Sequence, residues 1–169
     1  MTQWERFLST FFKWDVMIQY LPAIGRGFVV TCELAVLVVI CGISLGLILA
    51  LIRSYQIKII NYSIICLVDI LRSLPPLVLI ILFYFGLPNV GLNFSGFMVV
   101  ILVLSFVLGS FAEEIFWAGI TSIHKGQWEA SRSTGLGYSQ TLIYVILPQA
   151  IRMTIPPLTN RTIAITKNT

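Results

Sequence analysis

Charged residues are scarce in this chain. Lysine, arginine, aspartate and glutamate together make up 11% of its 169 residues, whereas soluble domains carry about 25%. Hydrophobic residues make up 57%, and the mean hydropathy is +0.93. So few charges cannot cover the surface of a soluble globule, and the net charge of +4 is too small and too scattered to indicate a nucleic-acid partner. The composition therefore predicts a membrane protein.

Residues that ligate metals or catalyse reactions are also rare. His124 is the only histidine, and Cys32, Cys41 and Cys66 lie in apolar runs without metal-ligand spacing, which argues against a zinc site. We expect three free, buried thiols, because cysteine behaves as a small hydrophobic side chain. The chain has no Ser/His/Asp arrangement and no Gly-x-x-x-x-Gly-Lys-Ser/Thr loop. It is therefore predicted to be neither an enzyme nor an ATP-binding protein, and to bind no cofactor itself.

Residues 1–26 do not have the pattern of a cleaved signal peptide. Instead, mostly aromatic residues recur at helical spacing among charged ones, at Trp4, Phe7, Leu8, Phe11 and Trp14. This pattern predicts a short helix lying in the membrane interface, where aromatic rings are favoured. A simple lead-in to the first membrane span is the alternative.

Four later stretches are long enough to cross a bilayer, which takes about 20 apolar residues. They cover residues 27–52, 59–87, 97–119 and 138–167. The second stretch is interrupted by charges and by Pro75-Pro76, and the polar residues 53–58 and 88–96 form predicted loops. We therefore predict an all-α membrane protein with a bundle of about four transmembrane helices.

Ionisable residues inside spans are expensive and tend to face an interior or a water-filled path. Arg72 lies roughly 20 Å along its helix from Ile59, deep enough to reach the middle of the membrane. Asp69 precedes it by three residues, so a local ion pair is the alternative. Glu113 is expected to sit at the membrane interface, because it points about 100° away from Glu114 on a helix. The full set of such residues is Glu33, Asp69, Arg72, Glu113, Glu114, Arg152, Arg161 and Lys167.

A polar segment between the last two spans carries the most specific motif. It reads Gly126-Gln127-Trp128-Glu129-Ala130, then Gly135 five residues after the alanine, then Ile146-Leu147-Pro148. This pattern resembles the signature loop of ABC-transporter permeases, and its Gly-Gln-Trp-Glu-Ala start resembles the polar-amino-acid importer branch. From charge pattern alone, an ordinary loop with a capped helix is the alternative.

The resemblance implies a coupling role for residues 120–144. A short cytoplasmic helix would seat in a groove of an ATPase, with Glu129, Ala130 and Gly135 as docking residues and Leu147-Pro148 opening the next helix. Glu129 and Arg132 share one helix face and can pair. Gly135 and Gly137 are expected to take positive φ as the chain reverses direction.

The resemblance also implies a substrate path. Arg72 and Pro75 match the family's Phe-Arg-Gly-Thr-Pro-Leu-Leu stretch, although Ser73 and Leu74 depart from it. Glu114 matches a family glutamate, whereas Trp117 replaces a common arginine. Pro156 and Pro157 match a tandem proline, and Asn168 stands where many relatives have an acid. Because an amide there does not repel carboxylates, acidic or neutral polar amino acids are the expected substrates.

Taken together, the resemblance implies a multi-pass protein of the bacterial plasma (inner) membrane. Its implied partners are an ATP-binding cassette subunit holding ATP and magnesium, an extracytoplasmic amino-acid-binding protein, a second permease in a homo- or heterodimer, and membrane lipid. Residues 27–169 would form the transmembrane domain; the family core has five spans, so the C-terminal end is expected to be incomplete. The alternative function is a non-transporting membrane anchor or assembly subunit, or an inactive truncated permease.

Overall fold

The computed structural model describes residues 3–168, apart from the side chains of residues 5 and 8–10. Within that range the fold is helical, without strands. The helices are α1 (Gln3–Phe11), α2 (Trp14–Ser54), α3 (Lys58–Ser73), α4 (Pro76–Gly86), α5 (Gly96–Ser122), α6 (Lys125–Ser133), α7 (Tyr138–Thr141) and α8 (Leu147–Thr166). A 3₁₀ turn at Leu87–Val90 follows α4, and a π-helical turn at Leu142–Ile146 joins α7 to α8.

Three of the described segments are long and apolar enough to cross a membrane: Trp14–Ser54, Gly96–Ser122 and Tyr138–Thr166. A fourth crossing arises if Lys58–Ser73 and Pro76–Val90, which are bent by 101°, count as one span. The predicted all-α architecture with about four spans is confirmed.

Helix α5 lies at the centre of the bundle, in contact with α2, α3, α4 and α8. Its two halves belong to two hydrophobic clusters. Val103, Leu104 and Leu108 pack with Val38 and Leu79 in one cluster, whereas Ala112, Phe116 and Ile120 pack with residues of α2, α8 and the π-helical turn in the other. Both candidate sites described below border this helix.

Helices α2 and α5 approach closely because their contact is made by small residues. A Cβ atom placed on Gly46 would lie 2.5 Å from the Ala112 Cβ and 2.7 Å from the backbone nitrogen of Glu113. Gly42 faces Leu108 one turn away. Two small residues four positions apart occur often by chance in an apolar helix, so the sequence alone does not assign them a role. In this fold, Gly42 and Gly46 form the contact of α2 with α5.

The first span differs from its prediction. Helix α2 begins at Trp14 rather than near residue 27, and it continues through Pro22 and Arg26. A helix in apolar surroundings satisfies its own backbone hydrogen bonds, so single polar residues and glycines do not end it. The N-terminal segment contains a short helix, α1, whose position at the membrane interface stays a prediction; Trp14 belongs to α2, and the Leu8 side chain lies outside the described residues.

The second span is not continuous over residues 59–87. Leu74 and Pro75 are extended, with ψ of 137° at both, and Pro76 starts α4. Each of them precedes a proline, whose ring disfavours the helical conformation of the residue before it. Neither proline has a backbone N–H to continue the helix.

The cysteines are free, as predicted, but Cys32, Cys41 and Cys66 are exposed rather than buried. A small apolar side chain faces lipid as readily as it faces a protein core, so the apolar runs did not specify burial.

Candidate functional site

The motif segment forms α6, a short helix with two unlike faces. The His124 side chain caps it, with Nδ1 accepting a hydrogen bond from the Gly126 backbone N–H at 3.1 Å. Trp128 and Ser131 turn toward the bundle, with Ser131 buried. Away from the bundle, Glu129, Ala130 and Ser133 are open to solvent, and Gln127 and Arg132 at the edges of the helix are exposed as well. The expected docking residues Glu129 and Ala130 therefore share one accessible surface.

The expected pairing of Glu129 with Arg132 is wrong for the described part of the chain, where no ion pair joins them. Both side chains extend into solvent, where the attraction between two charges is weak and ordering two long side chains is costly.

The inner face of α6 is fixed by aromatic contacts that sequence reasoning missed. The Trp128 ring stacks on Tyr138, with centroids 5.2 Å apart and an interplanar angle of 26°. The Tyr138 hydroxyl donates a hydrogen bond to the Ser54 carbonyl at the end of α2. The Tyr55 hydroxyl lies 3.0 Å from the Ser139 hydroxyl. Through these contacts α6 is tied to α2 and α7; no signal marked them, because Tyr138 and Ser54 are 84 residues apart.

A second attachment is polar. The Ser131 hydroxyl lies 3.2 Å from the hydroxyl of Thr141, and both residues are buried. The Gln149 amide donates to the Gln127 side-chain oxygen at 3.4 Å and to the Val145 carbonyl at 2.7 Å. The structure thus brings Gln127 beside the helix that contains Pro148.

The two glycines after α6 play different parts. Gly135 has φ of +92°, as predicted, a conformation that side chains with a Cβ rarely adopt. Gly137, predicted to behave likewise, has φ of −67° and precedes α7, where its N–H donates to the Gln140 side chain at 2.9 Å. One residue with positive φ suffices to reverse the chain, so the second glycine is not needed for that purpose.

Helix α8 begins at Leu147 with Pro148 in its first turn, as the resemblance implied. The helical segment starts at Tyr138, and the π-helical turn ends at Ile146, immediately before Leu147. Proline lacks an N–H and its ring clashes with the carbonyl four residues earlier. A widened turn just before Pro148 accommodates that ring, so the helical segment that starts at Tyr138 runs on into α8.

A buried ion pair joins α2 to α5 near α6. The Arg53 guanidinium donates to both Glu113 carboxylate oxygens at 3.0 and 3.2 Å, and its carbon lies 4.7 Å from the centre of the Trp117 ring. Two expectations are wrong: Glu113 is fully buried rather than interfacial, and Arg53 is part of α2 rather than a loop charge. The partners are 60 residues apart, so local spacing could not reveal the pair.

A second group of charges surrounds the break between α3 and α4, which we call the arginine pocket. It is a cavity of about 280 Å³ lined by Arg72, Ser73, Leu74, Pro75, Pro76, Val107, Phe111 and Arg161. Arg72 pairs with Glu114 of α5. The local pairing with Asp69 is wrong, because Asp69 lies on an exposed face of α3.

Only part of the expected substrate path comes together. Arg72, Pro75 and Glu114 meet at the arginine pocket, where Arg161 joins them. Pro157 lines a separate cavity of about 300 Å³ beside Gly119 and Thr154. Pro156 is exposed within α8, which continues through both prolines, and Asn168 is exposed beyond the end of α8.

Comparison with known proteins identifies the family. Residues 42–169 match the family described as binding-protein-dependent transport system inner membrane component. The chain belongs to this family. The predicted resemblance is confirmed, and the protein is a multi-pass inner membrane protein whose described helices include three to four spans.

The sequence is similar to those of amino-acid permeases. It is 39% identical over 142 residues to a probable glutamine ABC transporter permease of Bacillus subtilis, covering 84% of this chain and 66% of the relative. It is 35% identical over 163 residues to an L-cystine transport system permease of the same organism, covering 96% and 70%. The chain thus spans about two thirds of the length of these relatives.

A solved structure has the same fold. It is a crystal structure of an amino acid ABC transporter with histidines, matched with a TM-score of 0.79 and 34% sequence identity. The match covers 90% of this chain and 72% of that one.

Proposed function

We propose that this chain is a pore subunit of an ATP-driven importer of a polar amino acid, and that it couples ATP hydrolysis on a partner to uptake. The observation that carries this proposal is the geometry of α6. One face presents Glu129 and Ala130 to solvent, whereas the other is fastened to the spans through Trp128 and Ser131. A helix held in this way transmits the movement of a partner instead of bending away from it.

The contacts define a route for that movement. A push on α6 passes through the Trp128–Tyr138 stack to the end of α2, where Tyr138 bonds to Ser54. Arg53 precedes Ser54 in the chain and forms an ion pair with Glu113, and through this pair the movement reaches α5. In the proposed cycle, docked ATPase subunits drive α6 helices together and apart, and the spans tilt around a site at mid-membrane depth.

The proposed assembly follows from the same role. Two permease copies form the pore, two ATP-binding cassette subunits with ATP and magnesium dock on α6 at the cytoplasmic side, and an extracytoplasmic binding protein delivers the amino acid. One of the relatives described above is named for glutamine, which supports an amide substrate. Asn168, an amide where many relatives have an acid, favours the same class.

Site-directed cross-linking tests the docking surface. In a variant with Cys32, Cys41 and Cys66 replaced by alanine, Ala130→Cys would be labelled with a photoreactive maleimide in native membranes. Mass spectrometry then identifies the captured protein. We expect a subunit with an ATP-binding cassette, because Ala130 lies on the accessible face of α6.

The matched control is Ala23→Cys. Ala23 is also exposed, but it lies on α2 roughly 46 Å from Ser54, toward the other end of the bundle. It should capture no ATPase. Failure of Ala130→Cys to capture an ATPase would contradict the coupling role and favour the membrane anchor.

Uptake measurements test the substrate class. Deleting the gene should reduce uptake of labelled glutamine or glutamate. In the parent strain, unlabelled acidic or amide amino acids should compete with the uptake of the labelled amino acid. Competition by arginine and lysine alone would keep the importer and reject the proposed substrate class.

A further inference from the structure

A cavity of about 280 Å³ lies beside the amino end of α6, and it shares no lining residue with the arginine pocket. We call it the tryptophan cavity. Its walls include Ser54 at the end of α2, Trp117 of α5, Lys125 and Trp128 of α6, and Tyr138. Its volume is several times the roughly 30 Å³ that one water molecule occupies in the liquid. The stack of Trp128 on Tyr138, which fastens α6 to the spans, therefore borders a space that can hold a ligand group.

The ends of three membrane spans place this cavity at a membrane surface. Helix α2 ends at Ser54, α5 ends at Ser122, and the last candidate span starts at Tyr138. Tryptophan and tyrosine rings are favoured at this level, because each combines an apolar body with a polar atom. A ligand in the cavity therefore has water on one side and the apolar part of the bilayer on the other.

The rim of the cavity at the turn between α2 and α3 borders lipid. Gln56 lines the cavity, and the next residue, Ile57, is 52% exposed. Ile59 in the first turn of α3 is 81% exposed. Exposed apolar side chains grouped beside the end of a span indicate contact with the membrane. Ile120 and Ile123 continue this apolar surface into the cavity. An amphipathic ligand that reaches in from the bilayer fits such walls better than a fully hydrated anion.

The charge of the cavity favours an anionic ligand. Lys125 lines it and is exposed, and within residues 3–168 no carboxylate pairs with it. The neighbouring Arg53 stacks on Trp117, but Glu113 compensates its charge. Lys58 begins α3 and adds a further cation at this end of the bundle. Basic residues grouped at the ends of membrane spans attract anionic lipid headgroups.

We propose that the tryptophan cavity binds the headgroup of an anionic phospholipid. Lys125 pairs with the phosphate, and the Gln56 amide donates a hydrogen bond to a headgroup oxygen. The rings of Trp117 and Trp128 cover the glycerol and the first acyl carbons. The bound lipid braces the stack of Trp128 on Tyr138 and so stiffens the attachment of α6 to the spans. The binding site does not depend on the import function, whereas its effect on uptake rests on that proposed function.

Lipid retention measures this site directly. The permease with its accompanying subunits is solubilised from vesicles of phosphatidylcholine and phosphatidylglycerol, and native mass spectrometry counts the molecules of each lipid that stay bound. We expect selective retention of phosphatidylglycerol. Lys125→Gln should weaken this binding about fivefold, the effect of removing one cation near a headgroup. Lys125→Arg keeps the charge and should retain the lipid.

The matched control is Arg132→Gln. Arg132 is also an exposed cation of α6, but it lies seven residues from Lys125 and does not line the cavity. This variant should retain phosphatidylglycerol like the wild type. An equal loss in Arg132→Gln, equal retention of the two lipids by the wild type, or displacement of phosphatidylglycerol by inorganic phosphate would overturn the lipid site. Loss of the ATPase subunit from Lys125→Gln in either lipid would assign the cavity to that partner instead.

Transport in proteoliposomes tests the consequence for α6. The wild type should transport more amino acid per ATP hydrolysed with phosphatidylglycerol than in phosphatidylcholine alone, and Lys125→Gln should lose this response. A ratio that does not respond to the lipid in the wild type refutes the bracing role. An equal response in Lys125→Gln, with unchanged lipid retention, rejects this site alone. Selective retention that depends on Lys125, in a protein that supports no uptake, rejects the import function alone.

Discussion

The ion pair between Arg53 and Glu113 makes the sharpest stability prediction. The Glu113 side chain has no exposed surface, and the Arg53 side chain is 17% exposed. Removing one member of a buried pair costs about 3–5 kcal/mol, because an uncompensated charge remains. We expect about 4 kcal/mol for Arg53→Met, which leaves the carboxylate enclosed. We expect about 3 kcal/mol for Glu113→Leu, because Arg53 keeps its contact with Trp117 and reaches solvent.

The double variant decides whether the pair or merely its volume is responsible. Replacing both charges of a buried pair by apolar groups of similar size is close to neutral, so Arg53→Met with Glu113→Leu should lie within about 1 kcal/mol of the wild type. Denaturant titration of the detergent-solubilised permease, followed by tryptophan fluorescence, measures the four free energies of unfolding. Additive losses, or single variants as stable as the wild type, would refute the reasoning.

Two further predictions concern packing and the attachment of α6. Gly46→Ala should destabilise the protein by about 1–3 kcal/mol, because the new Cβ would meet Ala112 and rigid backbone of α5. The control is Gly25→Ala, whose Cβ would have no atom within 4 Å, and it should be neutral or slightly stabilising in the same titration. Tyr138→Phe removes the hydrogen bond to Ser54 but keeps the ring, so it should lower the free energy of unfolding by about 1 kcal/mol. It should also lower the number of amino acids transported per ATP hydrolysed. An unchanged ratio would argue against the proposed route.

The sequence predicted what depends on local pattern. Apolar runs located the helices around residues 97–119 and 138–167 to within a few residues, and the motif placed a short helix at α6. Gly135 adopts the positive φ that the spacing of the motif suggested. These features arise from interactions between residues close in the chain, so one sequence is enough to see them.

Contacts between distant residues could not be predicted in this way. Arg72 has a nearby partner in sequence at Asp69, yet the fold brings Glu114 beside it. Arg161 was visible as a costly charge in a span, but only the packing of α8 against α5 places it over Phe111. Helix ends also misled, because charge and glycine mark helix termini in water more reliably than inside an apolar solvent.

The role of α6 as the coupling element is tested most directly at Gly135. Both Gly135→Asp and Gly135→Asn place a side chain of one size at a φ of +92°, which aspartate and asparagine tolerate better than most residues. They differ in charge beside the proposed docking surface. The measurement is amino-acid uptake and ATP hydrolysis by the complete transporter in proteoliposomes. We predict that Gly135→Asn transports, whereas Gly135→Asp inserts and hydrolyses ATP without uptake; equal uptake by both variants would contradict the coupling role.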